Sequence, residues 1–377
     1  MEEDVNFPLN FDIDVFEEKF TRWNELPVEV KIQILQYLPF HTLRNFMFLS
    51  KDCLAVASNV KISVYGVYFQ DKRCIYNTNI SNEEASLIIL VAYEHRWKNP
   101  GNSCKREYRI IFAGDENGGC FVRRLIKRRR FKYSKALIRY ENETCGSAAF
   151  RVFLHLMRNL KSANVTIQKD SIYPEIERVL KEEPSSPPFS CERFSVATED
   201  RKLIPLLPKF LAPGCELSFS TSMAIYHDEI FADTEFCSSE LMRAAPRFET
   251  EALVGVTDEQ LPYLQASMLS MNAPYITSKG INGMILASLF NWLDGKRKIV
   301  RIVLRQTQEL KNEVVLDGVD HSLLTSQSEM SKDPYLSCKL EGFVPSGRFT
   351  GITNKTGAFM VVNVCSNYCT LFDPYWE

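Results

Sequence analysis

Residues 26–57 read LPVEVKIQILQYLPFHTLRNFMFLSKDCLAVA, and the way this stretch buries its apolar side chains governs the reading of the whole chain. Its first half predicts a helix that opens at Leu26-Pro27 and closes before Pro39, because proline at a helix start has the right φ and needs no N–H partner. On a helical wheel Glu29, Gln33 and Gln36 form one narrow polar stripe. Val28, Val30, Ile32, Ile34, Leu35, Tyr37 and Leu38 fill an apolar arc of roughly 220°, against about 100° for a helix lying on its own domain. Lys31 falls inside that arc, where its stem is expected to lie along apolar neighbours with the ammonium in water.

The second half repeats the pattern. Leu43, Phe46, Met47 and Leu49 follow a His41-Thr42 start, and Ser50 can cap a third short helix from Lys51 through Ala57. Three short helices in about forty residues bury too little surface among themselves to stand alone. Either a partner supplies the missing wall or the helices pack on their own chain, and composition does not choose between the two.

The string Leu26-Pro27-x-Glu29-Val30, Ile34-Leu35-x-x-Leu38-Pro39, Leu43, then Leu49-Ser50-Lys51 resembles the F-box in order and spacing. It departs from that family at Cys53, where many F-boxes carry tryptophan. The resemblance implies that Leu26, Pro27, Val30, Ile34, Leu35, Leu38, Pro39 and Leu43 bind a Skp-family adaptor, which links to a cullin complex and so to ubiquitin transfer. It implies a substrate-recognition subunit of an SCF-type ubiquitin ligase, a non-catalytic receptor that brings an unknown target protein to a charged ubiquitin carrier. A cullin-independent F-box adaptor is the variant of that reading.

The 377 residues leave room for two or three domains, and 45% hydrophobic residues supply a sizeable core. A net charge of −2 advertises neither nucleic acid nor an anionic membrane. The opening MEEDVNFPLN has no apolar run, and no later segment reaches the about 18 uncharged residues of a membrane helix, so a cytoplasmic or nuclear location and no membrane partner are expected. Eleven cysteines without a Cys-x-x-Cys pair suit buried thiols in a reducing compartment. The sequons at Asn79, Asn142, Asn164 and Asn354 carry no meaning without secretion.

Residues 1–18 hold seven acids, no base, and Phe7, Phe11 and Phe16; a disordered acidic arm is expected, followed by the F-box over 19–59 with Phe20 and Trp23 as its lead-in. Residues 60–144 read as a small antiparallel β-rich subdomain: VKISVYGVYF, EYRIIFAG, CFVRRLIKR and KALIRY are rich in β-branched and aromatic residues, and Asn117-Gly118 marks a tight hairpin. The segment EEASLIILVAYEHRW reads as a helix with Leu87, Ile88, Val91 and His95 on one face, or as another strand; the helix is the expectation. Phe121 to Tyr140 carries nine bases and no acid. Its part from Arg123 to Lys135 is either the solvated face of a hairpin, which is the expectation, or a nucleic-acid or phosphoinositide-binding patch; nucleic acid is not an expected partner.

Over 145–330 short strands and helices alternate, with strand starts near Asn164, Arg193, Cys215, Ala252, Pro274 and Lys298, about 22 to 37 residues apart and close to the about 20–29 of leucine-rich repeats. The fold class is therefore α+β: a three-helix F-box, the β-rich subdomain, then an irregular leucine-rich-repeat-like βα solenoid with one surface free to bind a target. A doubly wound sheet is the alternative, but no Gly-rich phosphate turn follows any strand. Residues 331–377 close the chain with a hairpin cap, Arg348 to Val364, turning at Asn354-Lys355-Thr356-Gly357. This order of parts, with Phe153-Leu154-His155-Leu156-Met157 and Asn291-Trp292-Leu293, resembles the nematode F-box families with an FTH-type C-terminal region.

Motifs of catalysis are missing from the sequence. His41, His95, His155, His227 and His321 have no metal-ligand spacing, so neither metal nor other cofactor is expected. His227-Asp228-Glu229 with Asp233 reads as a polar loop in preference to a cation site. Cys145 and Cys237 have no nominated base and are expected to be inert.

Overall fold

The computed structural model describes residues 23, 25–38, 42–43, 46, 51–57, 59–60, 62–71, 85–96, 103–114, 119–126, 136–169, 172–184, 187–221, 229–294, 296–306, 308–341 and 348–375. The expected acidic arm, the basic residues 127–135 and the Asn117-Gly118 turn lie outside them. The fold class is α+β, and the chain divides into two compact units, 1–164 and 165–377.

The first unit opens with helices α1 (Val28–Gln36) and α2 (Lys51–Ala57). An antiparallel sheet follows, formed by β1 (Ile62–Asp71), β2 (Ala85–Arg96), β3 (Ser103–Gly114), β4 (Cys120–Ile126) and β5 (Ala136–Tyr140), each strand hydrogen-bonded to the next in chain order. The segment expected as a helix is β2. Its Leu87, Ile89 and Val91 are buried at a spacing of two and lie opposite Asp71, Phe69 and Val67 of β1, and β3 pairs its other edge. Apolar residues compatible with either period go to the period whose neighbours complete a sheet. Helix α3 (Cys145–Asn159), begun by Thr144 accepting the Ser147 N–H, packs on β2, β3 and β4. It buries Phe150, Phe153 and Met157, with Phe153 edge-on to Phe69 at 5.7 Å. The contact therefore ties the helix to the β-rich part of the chain.

In the second unit β7 (Cys191–Ala197), β8 (Glu216–Ser220), β10 (Arg247–Val254), β11 (Met268–Asn272) and β12 (Arg301–Arg305) form a parallel ladder in chain order. β6 (Leu160–Gln168) lies beside β7, and the short β9 (Ile230–Ala232) pairs with β10. The connections are helical: α4 (Tyr173–Glu182), a 3₁₀ turn over Arg201–Leu206 running into α5 (Leu207–Phe210), α6 (Thr234–Ser238), α7 (Glu240–Arg243) and α8 (Ser278–Leu293). Pro274-Tyr275-Ile276 is a turn after β11, and Lys298-Ile299-Val300 leads into β12; both expected strands are displaced by a few residues. Proline lacks the N–H a central strand must donate, which moves the first.

After β12 the direction reverses. Past α9 (Asn312–Val315), β13 (Leu324–Ser326), α10 (Gln327–Met330) and α11 (Pro334–Glu341), the strands β14 (Arg348–Thr353), β15 (Phe359–Val364) and β16 (Tyr368–Phe372) pair antiparallel, and β16 hydrogen-bonds β12 antiparallel. The expected hairpin is β14–β15. Asn354 drives its turn: Oδ1 accepts from the Thr356 N–H at 3.0 Å, the Thr356 hydroxyl at 2.7 Å and the Ala358 N–H at 2.8 Å, while Nδ2 donates to the Trp292 carbonyl. Gly357 takes φ +82°, which a side chain would resist.

Gly351 in β14 is needed for space. A Cβ there would collide with the Phe359 ring and sit 3.1 Å from Met330 Sδ, in the cluster of Met330, Leu336, Leu340, Phe349, Val361 and Phe372. Gly351→Ala is expected to cost about 2 kcal/mol of stability by overpacking, read as a lowered urea midpoint. An unchanged midpoint would show that the ring moves aside freely.

Candidate functional site

Pro27 opens α1 from an extended conformation (φ −55°, ψ 148°) and its carbonyl accepts the first helical bond, from the Lys31 N–H at 3.0 Å. Glu29 in the first turn suits the positive end of the helix dipole. At the far end Tyr37 and Leu38 donate to the Ile34 and Leu35 carbonyls, a tightening that closes the helix just before Pro39.

One stripe of α1 faces in. Leu35 is 1% exposed, Lys31 5%, and Trp23 and Leu43 are buried with them. Cys53, Val56 and Ala57 bring the buried face of α2 to the same core, and Asn59 Nδ2 caps α2 by donating to the Ala55 carbonyl. Trp23 stands edge-on to Phe46 at 5.2 Å, consistent with its expected lead-in packing. Lys31 is not the snorkelling lysine that its helix position suggests. Its ammonium lies 3.2 Å from Asp52 Oδ2 on α2 and 5.5 Å from the Trp23 ring centre.

A second stripe of the same helix is apolar and faces water. Val30 is 37% exposed, Ile34 43% and Tyr37 88%, with Pro27 exposed beside them; Val28, 49% exposed, lies on another side of the helix. Pro27, Val30, Ile34 and Tyr37 fall three and four residues apart, so they form a single ledge along the helix. An isolated exposed valine needs no explanation; three large apolar side chains in register with a proline do.

The sequence-expected binding residues therefore divide. Pro27, Val30 and Ile34 lie on the ledge, Leu26 and Leu38 are half-buried at its two ends, and Leu35 and Leu43 form the floor beneath; Pro39 is outside the described residues. Tyr37 and Val28, absent from that set, contribute the most exposed apolar surface. Tyr37's position three residues beyond Ile34 and seven beyond Val30 was the available signal.

The acidic cluster near residue 230 is committed to structure where it is described. Glu229 pairs with Arg201 at 2.6 Å, and Asp233 Oδ1 accepts the Phe236 N–H to start α6; His227 and Asp228 lie outside the described residues. Among the described residues no three metal-ligating side chains gather, and no helix is long and apolar enough to cross a membrane. Burial, with Asp233 adding to it, pushes the Cys237 thiol up to about 12, away from the thiolate a nucleophile needs. The Cys120 thiol, hydrogen-bonded to Cys145 and buried, is also raised.

A family model described as F-box domain matches residues 23–65, the stretch that runs from Trp23 through α1 and α2 into β1. The chain thus carries an F-box domain, the kind of domain that binds Skp-family adaptors in SCF ubiquitin ligases. A search of curated proteins finds no match.

Proposed function

We propose that this protein is a substrate receptor of a cullin-based ubiquitin ligase, holding a Skp-family adaptor through the ledge on α1 and a target protein through its βα region. The observation that carries the reading is the coincidence of the F-box match with an apolar stripe left in water on the matched helix. Pro27, Val30, Ile34 and Tyr37 enter the adaptor's groove, Leu26 and Leu38 close its ends, and Leu35 and Leu43 hold the helix from below. Pro39 follows as the stop that keeps Tyr37 at the helix end.

Chemistry is then supplied in trans. The receptor raises the effective concentration of a target lysine at the ubiquitin carrier, and no residue of this chain forms or breaks a bond. The parallel strands β7, β8, β10, β11 and β12, neighbours in chain order, support a solenoid-like target-binding region running up to residue 330, with 331–377 as its cap. The same order of parts supports a place among the nematode F-box families with an FTH-type C-terminal region.

Mixing the full chain with a Skp-family adaptor tests the central claim. A stoichiometric complex by gel filtration, with submicromolar affinity, is the expected result. Two separately eluting proteins at micromolar concentration overturn it. Ubiquitin transfer in the reconstituted cullin complex separates a ligase subunit from an adaptor that works without a cullin.

A further inference from the structure

The apolar arc of α1 covers most of its circumference, so hydrophobic burial gives no strong reason for one stripe and not another to face the core. Burial is non-directional and roughly proportional to area. Turning the helix about its axis by a third of a turn would bury Ile34 or Val30 in place of Leu35 at similar apolar gain, and the ledge would vanish. Something with direction has to set the rotation.

The geometry points to Lys31 as that element: a positioning residue that fixes the roll of α1 and so decides which apolar residues are presented to the adaptor. Lys31 is a charged residue only 5% exposed. Its position one turn before Leu35 makes the two share a stripe, so whatever holds Lys31 inward also holds Leu35 inward. Two directional contacts hold it: the ammonium bonds Asp52 Oδ2 at 3.2 Å on α2, and the Trp23 ring faces the same ammonium at 5.5 Å. A roll that moves Lys31 off this stripe breaks both contacts, a directional loss that no apolar residue at position 31 could impose. The charge thus excludes alternative rolls that the greasy neighbours tolerate. The assignment of the ledge to an adaptor rests on the function proposed above, whereas the roll is a property of the free protein.

The test separates the two. Ile34→Cys and Leu35→Cys are made singly in the full chain and labelled with a soluble maleimide, each modification being read at its own peptide by mass spectrometry. With Lys31 present, position 34 is expected to react at least about tenfold faster than position 35, following their 43% and 1% exposure. Adding Lys31→Met is expected to keep the melting temperature within a few degrees, since an apolar side chain of similar length replaces a buried ion pair. It should also bring the two labelling rates together, and Lys31→Arg should keep them apart. Adaptor affinity of the otherwise unaltered chain should fall about tenfold in Lys31→Met and recover in Lys31→Arg.

Asp52→Asn guards against a misfolded Lys31→Met. Asp52 is half exposed, so the substitution leaves no cavity, and it should narrow the labelling ratio in the same direction. Unchanged labelling ratios in both Lys31→Met and Asp52→Asn overturn the proposal. If the ratios converge as expected while even the unaltered chain captures no adaptor, the roll assignment stands and the proposed function falls.

Discussion

Ile34→Asp combined with Tyr37→Ala is expected to abolish adaptor capture in pull-down and to lower affinity by about a thousandfold by calorimetry, while the free protein melts where the unaltered chain does. Central interface anchors are each worth about 2 kcal/mol or more, and two of them together reach about 4 kcal/mol, or a thousandfold. Aspartate at position 34 adds the cost of a carboxylate buried in an apolar groove. Both side chains stand in water in the free protein, so neither change leaves a cavity, and surface changes of this kind cost within about 0.5 kcal/mol of stability. The choice of residues matters. Leu35→Ala would also weaken capture, but Leu35 is core, and about 2–5 kcal/mol of cavity cost could unfold α1 and imitate a lost contact. A double variant that still binds with the affinity of the unaltered chain would remove the ledge from the interface.

Arg297→Met is expected to destabilise the second unit by about 3 kcal/mol, seen as a lowered urea midpoint with unchanged slope. The guanidinium is largely buried without a carboxylate partner among the described residues, and burial holds its pKa below the usual arginine value. One arm donates to Ser288 Oγ at 2.7 Å on α8, and the other to the carbonyls of Leu264 and Ala266, both at 2.9 Å, just ahead of β11. The arginine thus stitches the end of one helix to the start of a strand more than twenty residues earlier in the chain. Methionine fills the space and leaves two carbonyls and a fully buried hydroxyl without donors, at about 1–3 kcal/mol per group where water cannot reach. Lysine is not expected to rescue, because a single ammonium lacks the planar fork that serves three acceptors at once. A loss under about 1 kcal/mol would show that water replaces the guanidinium.

Local and long-range interactions leave different traces in a sequence. The first helix, its proline start, the hairpin at Asn354 and the parallel arrangement of short strands were legible because periodicity and turn chemistry are local. β2 was misread because Leu87, Ile89 and Val91 are apolar in either conformation and only the neighbouring strands select the extended one. Lys31 was misread for a related reason: its fate depends on Asp52, twenty-one positions away, and on a tryptophan before the helix. Arg297 carried no sequence signal at all, since its partners are a hydroxyl and two main-chain oxygens. The ledge was legible as an excess of apolar surface, but the division of that surface between floor and outer rim was not.

The antiparallel pairing of β16 with β12 sets a limit on how a chain of this kind can change in length. A duplicated unit spliced upstream between two same-direction strands meets the neighbours it needs, whereas one spliced directly after β12 would have to evict the terminal strand from an edge it already occupies. An added unit therefore fits inside the parallel array and not after β12, where β16 already holds the edge.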